Sequence, residues 1–192
     1  MIAVPSSEWT FIPFRAKDRT LLVPAILLLA LLSTILVVFF GLNTPITVDG
    51  DSMYPTLHTT DKLLVQKSYP TPRRGDIVSA HVIDKGQPAE VIKRVIGLPG
   101  DTIEIVGDNA IINGSPESGE YDVLTDPANT EYRTLPFVVP DGHVFLLGDN
   151  RPVSEDSRFF GAVPLTDIEG RAVAIYAPIH RIRLIDPSAS GP

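Results

Sequence analysis

The chain has 192 residues, enough for one domain with a sizeable core plus an appendage. A net charge of −7 disfavours nucleic-acid binding, which needs a basic face, and the lack of cysteine excludes disulfides, thiolate metal sites and a cysteine nucleophile. Eighteen prolines and fourteen glycines argue for many turns and against a helical bundle, while the apolar share of 44% is concentrated near the N-terminus.

Residues 1–20 set Arg15, Lys17 and Arg19 beside Trp9, Phe11 and Phe14. Basic and aromatic groups together just before an apolar run are expected of a cytoplasmic membrane flank, the alternative being a disordered tail. Residues 21–42 then carry no charge. As a helix they reach roughly 33 Å, against a bilayer hydrocarbon core of about 30 Å. Pro24 is expected in the first turn, where a missing N–H costs little. A cleavable signal peptide would have a shorter apolar centre and a small-x-small site after it, and Gly41-Leu42-Asn43-Thr44-Pro45-Ile46 offers none. A buried soluble helix would show a polar stripe, for which Ser33 and Thr34 are too few. The run is therefore expected to be an uncleaved anchor in the lipid bilayer. Its N-terminal flank holds the basic residues, and the first one after it is Lys62, so the N-terminus is expected in the cytoplasm and residues 43–192 outside it, at the cell membrane.

The outer part reads as mainly β. Short Val- and Ile-rich runs at 62–67, 76–83, 91–96, 102–106, 110–113, 143–147 and 171–176 are separated by Gly75, Gly100, Gly107 and Gly114. The runs around Gly107-Asp108-Asn109 predict a hairpin. The expected fold is an antiparallel-sheet, partly barrel-like catalytic domain over 43–185. Residues 107–137 form a small excursion or reduced second domain, and 186–192 a disordered tail.

Three stretches carry candidate chemistry. The first, Asp51-Ser52-Met53-Tyr54-Pro55-Thr56-Leu57, presents a serine just after the anchor with no base nearby in sequence. The second is the apolar run 91–96 with Lys93 between Val91 and Val95, where desolvation would lower an ammonium pKa. The third, residues 148–158, packs Asp149, Arg151, Ser154, Asp156 and Arg158 between two apolar runs, with Asp149 and Asp156 both offered Arg151 or Arg158 as partners. Such density is costly in a core unless it forms a paired network. Each stretch alone also has a plainer reading: a turn serine, an edge-strand lysine, a solvated loop. The histidines His58, His81, His143 and His180 are scattered, so neither a metal site nor a Ser-His-Asp triad is expected, and no cofactor.

Together the stretches resemble the bacterial type I signal peptidases, the Ser–Lys leader peptidases. The family's serine box is matched at 51–57, its Arg-Gly-Asp-Ile-Val box at 74–78, its lysine box at 93–101 and its last box at 148–158. The resemblance implies that Ser52 is the nucleophile and Lys93 the general base. Ser154 would orient the lysine, Asp156 and Arg158 would form a supporting salt bridge with Asp149 in the same network, and the Ser52 N–H would stabilise the oxyanion. Some members carry a serine two residues before the nucleophile; Gly50 here implies a hole made mainly of backbone donors. The implied partners are exported preproteins, cleaved after a small-x-small site downstream of the export machinery. Met53 and Ile92, next to Ser52 and Lys93 in sequence, are expected to line the substrate pockets. Alternatives are a Ser–Lys peptidase dedicated to one secretion or conjugation system, and a membrane-tethered, non-catalytic β domain that binds peptides.

Overall fold

The computed structural model describes residues 16–67, 69, 71–119 and 121–185. Trp9, Phe11, Phe14 and Arg15, and the tail expected to be disordered after residue 185, lie outside the described residues. The apolar run forms α1 (Ala16–Leu42), starting earlier than the uncharged stretch because Ala16, Lys17, Asp18 and Arg19 continue the helix outward. Pro24 therefore sits inside the helix rather than in its first turn, and leaves the carbonyl one turn earlier without its usual donor. Residues 22–42 are long and apolar enough to cross a membrane, and none of that span is buried against protein. The chain divides at Gly41 and Leu42 into this unit and a second one.

Among the described residues, the second unit holds twelve strands, all paired antiparallel: β1 (Asn43–Thr47), β2 (Lys62–Lys67), β3 (Ile77–Asp84), β4 (Gln87–Gly97), β5 (Thr102–Val106), β6 (Asn109–Ile112), β7 (Ser115–Pro116), β8 (Phe137–Val138), β9 (His143–Leu147), β10 (Val163–Pro164), β11 (Ile168–Ala177) and β12 (Arg183–Leu184). A short helix, α2 (Ser157–Phe160), follows the last box. The larger sheet runs β1-β2-β11-β3-β4-β9-β10, with β12 added to β11; the smaller runs β7-β6-β5-β8. The larger sheet is open rather than a closed barrel. Strands β2, β5 and β9 fall where the Val- and Ile-rich runs predict. The predicted hairpin forms, with Val106 opposite Asn109.

Strand β1 was hidden in the sequence because Asn-Thr-Pro reads as a turn. It ends the strand order, and Pro45 is tolerated there because an edge strand need not donate on its outer side. The stretch 107–137 is more than a polar excursion. Ile103, Ile105, Ala110 and Ile112 pack with Ile96 of β4 and Phe145 and Leu147 of β9, so the small sheet shares a core with the large one. Two further clusters fill the large sheet. One holds Met53, Leu57, Leu63 and Ile77, the other Val78, Val95, Leu146 and Val163. The period of two along β4 distributes its residues between them: Val91 and Val95 pack into the second cluster and Ile92 into the first.

Candidate active site

Ser52 lies in a run of turns between β1 and β2, where the Leu57 N–H donates to the Met53 carbonyl at 2.8 Å. Gly50, at φ +83°, lets the chain enter this turn in a backbone conformation that a side chain would strain. Lys93 rises from β4 and is 5% exposed. Its Nζ donates to Ser52 Oγ at 2.8 Å and to the Ile92 carbonyl at 3.2 Å. Burial, the larger influence, depresses the Lys93 pKa below the ordinary lysine value; the carboxylates of Asp156, Asp149 and Glu155 work against it.

The two residues share a cleft of about 650 Å³, lined on one side by Ile46 to Met53 and on the other by Glu90 to Lys93. Met53 and Ile92 both line it; Met53 belongs to the core beneath it and Ile92 packs against that core. The Ser52 backbone N–H donates to no other group among the described residues.

The last box supplies a buried network, in which the expected Asp156–Arg158 pair forms and the partner of Asp149 differs from the sequence expectation. Asp156 pairs with Arg158, at 2.8 Å to Nε and 2.9 Å to Nη2, and accepts the Gly148 N–H at 3.1 Å. Asp149 pairs with neither Arg151 nor Arg158. Its carboxylate is held by Arg94, which donates from Nε at 2.8 Å and from Nη2 at 2.5 Å, both side chains essentially inaccessible. Arg151 turns away to Glu117, at 2.6 and 2.8 Å. The reason is strand alternation: Arg94 leaves β4 on the side opposite Lys93, which brings its guanidinium under the last box. The expected Ser154–Lys93 hydrogen bond is not formed. Among the described residues Ser154 Oγ is buried without a partner, and it stands against Gly148, where a Cβ would overlap both it and the Ser52 carbonyl. Glycine at 148 thus allows the nucleophile turn and the last box to touch.

Sequence reasoning missed Arg94 and Thr56. Arg94 also donates to the Gly75 carbonyl at 2.8 Å and to Thr56 Oγ1 at 3.3 Å, so one guanidinium joins all four boxes. Thr56 donates to Asp149 at 2.6 Å, and the Asn150 N–H reaches the Ser52 carbonyl at 3.0 Å. The available signal was a second cation in an apolar strand, which burial tolerates only with a carboxylate partner.

A serine-bearing turn beside a buried lysine, braced by buried ion pairs, has the makings of a serine hydrolase site. The comparisons agree with that class. A family profile described as signal peptidase, peptidase S26, matches residues 19–177. Signal peptidase I of Leptolyngbya laminosa is 39% identical over 152 residues, covering 74% of this chain and 73% of its own. The probable signal peptidase I-1 of Synechocystis sp. is 37% identical over 186 residues, covering 91% and 87%. A crystal structure of a signal peptidase I from Enterococcus faecalis is 37% identical and covers 53% of this chain and 96% of that one, with a TM-score of 0.42. The chain belongs to the signal peptidase family, peptidase S26, and is a hydrolase of the serine peptidase type.

Proposed function

We propose that this chain is a membrane-anchored endopeptidase that removes signal peptides from exported preproteins, with Ser52 as nucleophile and Lys93 as general base. The observation that carries the reading is the 2.8 Å contact between Lys93 Nζ and Ser52 Oγ inside the cleft. With its pKa lowered by burial, Lys93 is uncharged in the reactive form and accepts the hydroxyl proton as Oγ attacks the scissile carbonyl. The Ser52 N–H, free of other partners, donates to the developing oxyanion. The lysine then passes its proton to the leaving amine, and next draws one from the water that hydrolyses the acyl-enzyme. Asp156–Arg158 and Asp149–Arg94 hold the last box and strand β4 in register beneath this chemistry. The unspent hydroxyl of Ser154 supports a role in receiving the ammonium once it forms.

Substrate binding follows from strand geometry. Strand β9 pairs with β4 only at Arg94, Val95 and Gly97, so the earlier part of β4 keeps a free edge along the cleft. An extended peptide added there places its first and third residues before the scissile bond on one side, over Met53 and Ile92. Shallow apolar floors at both places favour small side chains. The basic residues Arg15, Lys17 and Arg19 ahead of the uncharged run support a cytoplasmic N-terminus, with 43–185 outside as the catalytic domain and 1–20 within. The membrane then holds enzyme and preprotein together in two dimensions.

Ser52→Ala and Lys93→Ala test this directly. Each should lower cleavage of a leader-bearing precursor by at least about 10³-fold while the domain keeps its thermal unfolding transition. Cleavage unchanged in either variant would sink the proposal.

A further inference from the structure

Of the three carboxylates that favour a proton on Lys93, two are committed. Asp149 is buried against Arg94 and Thr56, and Asp156 against Arg158 and the Gly148 N–H. Glu155 is different. Its side chain is 51% exposed, it lines the cleft, and its partner is Lys85, which is 73% exposed. Lys85 sits at the tip of the β3–β4 hairpin, between Asp84 and Gly86. The pair therefore ties the hairpin tip to the loop that carries Ser154, at the rim of the cleft that holds Ser52 and Lys93.

The other charges around Lys93 are accounted for. Asp49 and Asp51 come from the segment before the nucleophile, and Asp51 accepts from Thr59. Asp84, from the hairpin tip, stands within side-chain hydrogen-bonding reach of Glu155 itself, so the Glu155 carboxylate has a second carboxyl neighbour beside Lys85. Glu90, on the same strand as Lys93, accepts from Ser79. Arg94 and Arg158 are spent on Asp149 and Asp156, and Arg151 on Glu117. Among the described residues, Glu155 is thus the carboxylate acting on Lys93 that is itself exposed and paired with an exposed surface cation.

We propose that Glu155 is a positioning residue acting through Lys93: its carboxylate holds the proton on the lysine in acidic solution, and Lys85 weakens that hold by engaging the carboxylate. This rests on the reading of Ser52 and Lys93 as the catalytic pair. A carboxylate favours the ammonium form of a nearby lysine, and a second cation opposes it. Because Glu155 and Lys85 are exposed, added salt screens both effects, whereas the buried pairs are screened much less. The acid limb of the activity profile is then set partly by a surface ion pair rather than by the buried network alone.

The experiment measures kcat/KM against pH for the full chain in detergent, at low and high salt, on a peptide with a small-x-small site. Four proteins are compared: the parent, Glu155→Gln, Lys85→Met and the double variant. Glu155→Gln should move the acid limb to lower pH with the alkaline plateau kept, a gain of about two- to threefold at a fixed pH on the limb. Lys85→Met should move it the other way, the double variant should superimpose on Glu155→Gln, and both shifts should shrink in high salt. An unmoved limb in Glu155→Gln, a Lys85→Met shift in the same direction, or a lowered plateau with no shift would each overturn the proposal. Ser52→Ala runs alongside. If it cleaves normally, the catalytic reading itself fails; if it is inactive while the Glu155→Gln limb stays put, only the role of Glu155 fails.

Discussion

Lys93 is held in a state that costs the fold something. A buried lysine whose pKa is depressed binds fewer protons folded than unfolded, between the lowered value and the unfolded value near 10.4. Stability therefore rises with pH across that window, and the penalty is complete below the lowered pKa. Lys93→Met should accordingly be inactive yet more stable at neutral pH, by about 1.4 kcal/mol for each unit of depression, with the advantage vanishing as pH nears about 10.4. Thermal unfolding of both proteins across pH checks this, and a pH-independent difference would show that the ammonium is not penalised. Gly148 is the second residue where chemistry and packing meet. Gly148→Ala drives a methyl into Ser154 Oγ and the Ser52 carbonyl, so cleavage should fall much further than the unfolding midpoint.

Strand β4 explains why two adjacent cations can do different work. Alternation sends Lys93 to Ser52 and Arg94 to Asp149, so one strand delivers the proposed base and the group that clamps the last box. The clamp is a buried bidentate pair, the arrangement in which losing one partner costs most, because the other charge stays buried without compensation. Asp149→Ala should destabilise the domain by about 3–5 kcal/mol in denaturant unfolding, whereas Glu104→Ala, whose partner Arg133 is largely exposed, should cost less than about 1 kcal/mol. Similar losses for both would mean that burial does not govern the clamp. The loop between β7 and β8 contributes here as well. Leu124 exchanges backbone bonds with the last box, accepting from the Arg151 N–H at 3.0 Å and donating to the Asp149 carbonyl at 2.8 Å. Thus the 107–137 stretch braces the site from behind.

At the scale of the molecule, an apolar helix and a β unit meet at Gly41 and Leu42, and β1 begins at Asn43. Because the β unit has its own core, a chain starting at Asn43 should fold and keep Ser52-dependent cleavage of a short soluble peptide. It should lose at least about 10²-fold on preproteins embedded in vesicles, where the tether supplies effective concentration. Equal loss on both substrates would point instead to damage in the β unit. Much of this was legible in the chain itself. An uncharged apolar run, period-two strands between glycines and four short boxes are local patterns, and local patterns are written in consecutive residues. By itself the sequence determined the class of fold, the helix fit to cross a membrane, and Ser52 and Lys93 as the residues to examine. Only the tertiary structure decided that Asp149 answers to Arg94 rather than to its sequence neighbours, that Ser154 keeps its hydroxyl unspent, and that Glu155 meets Lys85 at the cleft rim. Those pairings join side chains separated by 55 residues in one case and 70 in another, and nothing in local periodicity says which of several arginines a carboxylate will find once the sheets close.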